Sequence, residues 1–465
     1  MARFEHETTI AHPREDVFDW HERPGALVRL NPPTMGSVDT EPTEGIRNGS
    51  LAVLRMSIPG TVGQAGIRWK ARHLGYERPS KFEDVMESGP MHSWHHKHLF
   101  SDAPDGGTVI RDEVDFQLPF PAVGPAARVG ERMVLSELSK TWAYRDRQLR
   151  FDLDFHAAHQ DRKTIAVTGA GGMVGTQLVA FLGGGGHDVR RVTRSKPADG
   201  DDSAIYWNLD DLEMDAEQLR DVDIVIHLAG EPIAGRFTDA HKKKVLDSRR
   251  DSTRLLAETL AKLAGDGRQR ALISASASGW YGPDRGDEWL TEDMPAGEGF
   301  LAEVCREWED ACQPAREAGV RVVNVRTGIV QSAAGGQLAL QAPLFRLGVG
   351  GPLGDGKQWM PWIAIEDLLG IYGHIALTDG LEGPVNACAP GIVRNGEYAK
   401  TLGKVLHRPA LLRVPRIGPQ VLLGSEGADE FALAGQRMST DKVRGWGYEF
   451  AYPELDAALR HVLAR

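Results

Sequence analysis

Cysteine is scarce: the chain has three among 465 residues. Cys305, Cys312 and Cys388 form no C-x-x-C pair, and an odd count supports no disulfide framework. No run of about 18 apolar residues occurs, the length needed to cross a bilayer, so no membrane partner is expected. The opening Met1-Ala2-Arg3-Phe4-Glu5-His6-Glu7 lacks the apolar core of a secretory signal, which makes a cytoplasmic location the expectation. Positive charge is also in deficit. A net charge of −11 offers no basic face for phosphates, so no nucleic acid is expected as a partner. Lys242-Lys243-Lys244 reads as a solvated helix face. What is present suffices for packed cores: 41% apolar and 26% charged residues, over a length suited to two or three domains.

Residues 1–158 read as an α+β domain. Arg3 to Ile10 alternates like a strand, and Pro13 stands at the start of a short helix carrying Val17, Phe18 and Trp20. Further alternation marks Arg68 to Leu74, Ser93 to Phe100 and Thr108 to Leu118. Leu135, Leu138, Trp142, Leu149 and Leu153 then share a helical face. The pattern describes a curved sheet gripping a helix. On a strand His92, His96 and His98 share one side, but no acid or Cys stands near them at ligand spacing. They read as polar residues at a cavity mouth, and no metal is expected. With Trp69-Lys70-Ala71-Arg72-His73, Gly89-Pro90-Met91 and the Trp94 to Phe100 strand, the segment resembles the START/polyketide-cyclase-like superfamily. That resemblance implies a helix-grip fold around an apolar cavity for a lipid-like or aromatic ligand.

Asp161-Arg162-Lys163 marks a boundary, after which strand and helix patterns alternate to about residue 404, as in a doubly wound parallel α/β sheet. Thr164 to Thr168 is a β-branched strand, followed at once by Gly169-Ala170-Gly171-Gly172-Met173-Val174-Gly175 and a helix with Val174, Leu178 and Leu182 in phase. Gly169 suits the tight turn, Gly172 a close approach of pyrophosphate, and Gly175 close helix–sheet packing. Thr168, Met173 and Val174 flank the helix N-terminus, where unpaired N–H groups and the positive dipole end favour phosphate. The next strand, Asp188 to Thr193, ends at Arg194 with Ser195 and Lys196 beside it. An acid at that tip would bond a ribose 2′-hydroxyl, whereas an Arg fits a 2′-phosphate, so the expected cofactor is NADP. Asp223 to Ile226 leads into His227 and the small, cofactor-lining Leu228-Ala229-Gly230. A helix over Asp239 to Leu263 and a strand over Arg270 to Ala275 follow, running into Ser276-Ala277-Ser278-Gly279-Trp280-Tyr281-Gly282.

These motifs resemble the extended short-chain dehydrogenase/reductases, the group of the nucleoside-diphosphate-sugar epimerases. Ser248-Arg249, Trp308-Glu309, Arg326-Thr327-Gly328, Gly354 to Gln358 and Pro361-Trp362-Ile363 narrow the likeness to an epimerase-like subfamily of largely unassigned activity. Its small C-terminal module resembles residues 405–465, with Pro415 to Leu423, Gly435-Gln436-Arg437 and Gly447-Tyr448. The resemblance implies an NADP(H)-dependent epimerase or reductase of a small-molecule substrate, with dimerisation through the long Rossmann helices.

The relay of the parent family, a Tyr and a Lys four residues later, is replaced by Phe300 and Val304, and its Asn by Arg249. The resemblance aligns the family Ser with Ser276, with Ser278 as the alternative. Tyr281 is then the candidate phenol, with Arg249 near the cofactor as the cation that would lower its pKa, and Cys305 is a further candidate acid. Gln331 to Ile365 reads as the substrate-side wall, with Asp355, Lys357, Gln358 and Trp362 as candidate contacts, and Asp367 as a helix-start residue. Two other functions fit: a non-catalytic NADP(H) sensor, or a reductase of an apolar carbonyl compound delivered by the N-terminal domain.

Overall fold

A computed structural model describes residues 1–42, 44–57, 66–119, 125–198 and 200–465. The chain divides into two compact units: residues 1–160 with 180–186 and 461–465, and residues 161–179 with 187–460. Among the described residues no helix is long and apolar enough to cross a membrane.

The first unit runs β1 (Ala2–Ile10), α1 (Arg14–Glu22), α2 (Ala26–Leu30), β2 (Gly36–Thr40), β3 (Leu51–Ser57), β4 (Gly66–Glu77), β5 (Lys81–Ser88), β6 (Ser93–Asp102), β7 (Thr108–Gln117) and α3 (Pro125–Ala158). The strands form one antiparallel sheet in the order β1-β7-β6-β5-β4-β3-β2. Alternation turns Phe4, Val114 and Phe116 toward Leu138 and Trp142 of α3, while Ile10, Phe18, Phe82, Phe100, Leu149 and Leu153 fill a second cluster. The expected face of α3 is therefore the buried one, with Leu135 at its margin. Inside this core Arg29 and Asp152 are both fully buried. Arg29 Nε and Nη2 reach the two carboxylate oxygens at 2.9 and 2.7 Å, and Gln148 Nε2 donates to Asp152 Oδ1 at 3.0 Å.

The second unit opens with β8 (Thr164–Thr168), α4 (Met173–Gly184, of which residues 173–179 belong to this unit), β9 (Asp188–Thr193), β10 (Ala204–Tyr206), β11 (Ile224–His227), α5 (Asp239–Leu263) and β12 (Ala271–Ala277). It continues through β13 (Asp284–Leu290), α6 (Phe300–Asp310), α7 (Gln313–Glu317), β14 (Arg321–Thr327), β15 (Ile329–Gln331), α8 (Gly336–Arg346), β16 (Trp359–Met360), β17 (Trp362–Ala364), α9 (Ile365–Leu377) and β18 (Gly383–Ala387). It closes with β19 (Val393–Arg394), α10 (Asn395–Val405), α11 (Ile417–Gly427), β20 (Gly435–Met438), α12 (Asp441–Gly445) and α13 (Leu455–Val462). The main sheet is parallel, in the order β10-β9-β8-β11-β12-β14-β18. The order reverses at β8, where β9 and β11 lie on either side, and a ligand crevice forms at the carboxyl ends of strands at such a point. Residues 405–460 fold within this unit: β20 pairs with β13 in parallel, and Gln436 Nε2 donates to Gly282 O at 2.8 Å. Asp367, in the first turn of α9, anchors the same segment by accepting from Ala451 N, Tyr452 N and the Tyr448 hydroxyl.

Asp152→Ala removes the carboxylate that pairs with the buried Arg29 guanidinium. The expected loss is about 3–5 kcal/mol in denaturant unfolding of the first unit, the range for breaking a buried pair.

Candidate cofactor and active site

The turn between β8 and α4 is built by backbone contact. Gly169 adopts φ +65°, and a Cβ there would lie 2.9 Å from the Ala229 nitrogen. A Cβ on Gly175 would lie 2.1 Å from Gly169 O. The Gly172 amide closes the turn on Gly169 O at 2.9 Å, which leaves the first amides of α4, at Met173 and Val174, without intrahelical acceptors. Thr168 is fully buried, and its hydroxyl accepts from the Leu228 and Ala229 amides at 3.0 and 3.1 Å. Its own proton therefore goes to His227 Nδ1, 2.7 Å away, and the ring proton sits on Nε2, 3.1 Å from Ser252 Oγ. Burial, reinforced by Arg249, pulls His227 down to about 3, so the ring is neutral. Thr168 thus pins the Leu228-Ala229-Gly230 strand end beside the glycine turn.

Arg194 follows the tip of β9 as an exposed side chain with no partner among the described residues. Arg249 is its opposite, a nearly buried cation that burial pulls to about 10. Its Nη1 donates to Glu231 O and Val245 O, its Nε has no acceptor among the described residues, and its Cζ lies 4.9 Å from the Trp308 ring centre. A Cβ on Gly230 would come 3.2 Å from that Cζ, so the glycine makes room for the guanidinium.

The residues expected to do chemistry are placed differently. Ser276 is buried and donates to Glu309 Oε1 at 2.7 Å. Glu309 also receives Arg326 Nε and Nη2 at 2.9 and 3.0 Å. Arg326 Nη1 reaches the Tyr281 hydroxyl at 3.3 Å, and that hydroxyl donates to Asn386 Oδ1 at 2.7 Å. One buried polar network therefore joins Ser276 to Tyr281 through Glu309 and Arg326, and both hydroxyls are committed. The cation at Tyr281 is Arg326, not Arg249, and burial outweighs it, pushing the phenol up to about 12. Burial likewise pushes Cys305 up to about 12. Ser278 differs: it opens the short turn after β12, is half-buried, and has no hydrogen bond to its hydroxyl among the described residues. Phe300 and Val304 pack with Val245 and Leu301 against Phe237 and Ile233, so the relay positions form a dry apolar wall.

The Glu309–Arg326 pair carried no chemistry in the sequence reading. A charge at Arg326, following the valine-rich Val322-Val323-Asn324-Val325 stretch of the Arg321–Thr327 strand, is the signal that a partner exists. Lys242 corrects another expectation. It is partly buried, pairs with Glu426 at 2.6 Å and sits 4.7 Å from the Phe300 ring centre, while Glu430 accepts from the Phe300 and Leu301 amides. Of the substrate-wall candidates, Asp355 and Lys357 are exposed, Gln358 Nε2 donates to Leu353 O, and Trp362 is buried with its indole N–H on Gly391 O.

The first unit holds a cavity of about 490 Å³. Leu27, Ile46 and Phe82 line it, but so do His21, His73, His98 and Arg145, so it is amphipathic rather than simply apolar. The histidine strand also needs correction. His92 is exposed and lies before β6, whereas His96 and His98 face acids supplied by the neighbouring strands: Asp84 on β5 and Asp112 on β7.

A seven-stranded parallel sheet with this glycine turn at its switch point defines an NAD(P)-binding Rossmann domain. The NAD dependent epimerase/dehydratase family matches residues 165–386, and a domain of unknown function, DUF1731, matches residues 414–462. An epimerase family protein of Mycobacterium bovis is 37% identical over 302 residues, 65% of this chain and 98% of that protein. The crystal structure of the nucleoside-diphosphate sugar epimerase from Corynebacterium glutamicum is 36% identical, covering 99% of this chain and 90% of that one, with a TM-score of 0.80. The human epimerase family protein SDR39U1, solved with NADPH, is 31% identical over 64% of this chain and 99% of its own, with a TM-score of 0.58. The chain belongs to the NAD dependent epimerase/dehydratase family.

Gly175→Ala forces a methyl into the Gly169 carbonyl. Overpacking of this kind costs about 1–3 kcal/mol. The expected outcome is a lowered Tm together with weakened nucleotide binding, measured by thermal unfolding with and without NADPH.

Proposed function

We propose that the second unit binds NADP(H) in preference to NAD(H) and serves an epimerase-type oxidoreductase that works without the Tyr–Lys relay. The observation that carries the cofactor preference is Arg194, an exposed and unpartnered guanidinium just past the strand next to the glycine turn. Such a group suits a 2′-phosphate, and the sequence brings no acid between the strand and Asp199 to accept a ribose hydroxyl. The NADPH held by the human relative supports the reading. Met173 and Val174 would offer their amides to the pyrophosphate, and Gly230 with Arg249 would border the far part of the cofactor. When bound, the nicotinamide supplies hydride donation or acceptance.

The substrate we infer is a small molecule with a hydroxyl or carbonyl carbon, a nucleoside-diphosphate sugar by analogy with the Corynebacterium relative. Ser278 carries the free hydroxyl at the end of β12, so the substrate contact is assigned there rather than to Ser276. Arg249 is a positioning cation, because a guanidinium stays charged and takes no part in general-base transfer. The first unit we read as a START-like carrier of an amphipathic ligand.

One observation favours the sensor reading. Phe300 and Val304 are packed, Tyr281 and Cys305 are held well above neutral pH, and no relay remains for proton transfer. Single-turnover mixing separates the two: NADPH oxidation by a carbonyl substrate, or transient NADP⁺ reduction by a nucleoside-diphosphate sugar, marks the enzyme, and binding with neither marks the sensor.

Arg194→Ala is expected to raise the Kd for NADPH roughly 10- to 100-fold, in line with about 1.5–3 kcal/mol for hydrogen bonds to a charged group. The Kd for NADH should barely change. Calorimetric titration of both nucleotides checks this, and equal losses for the two would contradict the assignment.

A further inference from the structure

Three adjacent antiparallel strands of the first unit bring two histidines and two aspartates together on the side facing α3. Asp84 of β5 is opposite His96 of β6, and His98 of β6 is opposite Asp112 of β7. Positions 96 and 98 point the same way from the strand, and their ring centres lie 3.7 Å apart.

The hydrogen bonds sort the four ring nitrogens. Asp112 Oδ1 lies 2.9 Å from His96 Nε2 and 2.8 Å from His98 Nδ1. A carboxylate only accepts, so these two nitrogens carry protons. The opposite oxygen of Asp112 accepts Trp142 Nε1–H at 2.8 Å, which locks the orienting carboxylate in place. In neutral rings the remaining nitrogens, His96 Nδ1 and His98 Nε2, are lone pairs. Both turn toward Asp84 Oδ2, at 3.2 and 3.6 Å. Metal–imidazole bonds of about 2.0–2.1 Å place tetrahedral ligand atoms roughly 3.3–3.4 Å apart, so these separations bracket the value for donors sharing one ion. All three donor atoms lie within 4.8 Å of one another.

We propose that Asp84, His96 and His98 bind a divalent first-row transition-metal ion, with Asp112 as the carboxylate that orients both histidines. Two imidazoles and one carboxylate favour zinc, iron(II), cobalt(II) or nickel(II) over magnesium or calcium. Histidine ligands commonly donate their far N–H to such a carboxylate. His98 lines the 490 Å³ cavity together with His73, which is opposite Asp84 across β4 and β5 and whose buried Nδ1 has no hydrogen-bond partner among the described residues. The remaining coordination position therefore belongs to a cavity ligand carrying an oxygen or nitrogen donor. This inference is independent of the nucleotide site.

The test uses the full-length protein, stripped with a chelator, dialysed and titrated with cobalt(II). The expected result is about one equivalent bound with visible d–d absorption, displaced by zinc and not by excess magnesium. His98→Ala and Asp84→Ala, folded by circular dichroism, should lose the band, and Asp112→Asn should weaken binding roughly 10- to 100-fold. X-ray absorption on the cobalt-loaded wild type decides the matter even where a variant fails to fold, and should report two imidazoles in an all nitrogen and oxygen shell. No stoichiometric binding at millimolar cobalt, binding retained in both alanine variants, or a shell with sulfur or without imidazole overturns the proposal.

Discussion

The second unit depends on a place where backbone meets backbone with no room for a side chain. Gly175 on α4 lies against the Gly169 carbonyl, and Gly169 in turn lies against the Leu228–Ala229 peptide past β11. The Thr168 hydroxyl ties the same strand ends together and fixes the tautomer of His227 behind them. Helix, turn and two strand ends are thereby set at one distance from each other. The crevice at the switch point, and the direction in which the first amides of α4 face, follow from that setting.

Around this crossing the fold treats its buried charges in two ways. Arg326 is fully compensated by Glu309, and the pair also takes up Ser276 and Tyr281, so hydroxyls that look catalytic in the sequence serve the core. Arg249 donates to two backbone carbonyls and lies over the Trp308 ring, and among the described residues one of its nitrogens has no acceptor. A cation left this way costs stability unless something anionic or electron-rich completes its surroundings. Phe300 and Val304 are the apolar counterpart: where a Tyr and a Lys would need polar partners, these two pack with Val245, Phe237 and Ile233.

The parallel sheet was highly legible, because its strands are short β-branched runs with local turn signals. Thr164–Thr168, Asp188–Thr193 and the helix Asp239–Leu263 coincide with the sequence expectation. The antiparallel unit was half legible. β1, β6, β7 and the buried face of α3 follow alternation, but β5 reads Lys-Phe-Glu-Asp-Val-Met-Glu-Ser, too charged to announce itself. What the sequence hid is what long-range pairing decides. Asp84 stands 12 residues before His96 and Asp112 stands 14 after His98, and only the strand register brings them within reach. The commitment of Ser276 was hidden for the same reason, since Glu309 lies on another element.

The central claim is that the glycine turn and Arg194 together form an NADP(H) site. A crystal structure of the full chain with NADPH tests it most directly. The account predicts pyrophosphate oxygens on the Met173 and Val174 amides and the 2′-phosphate in a charged hydrogen bond with Arg194. A cofactor whose 2′-phosphate is held elsewhere, with Arg194 left in solvent, would contradict it.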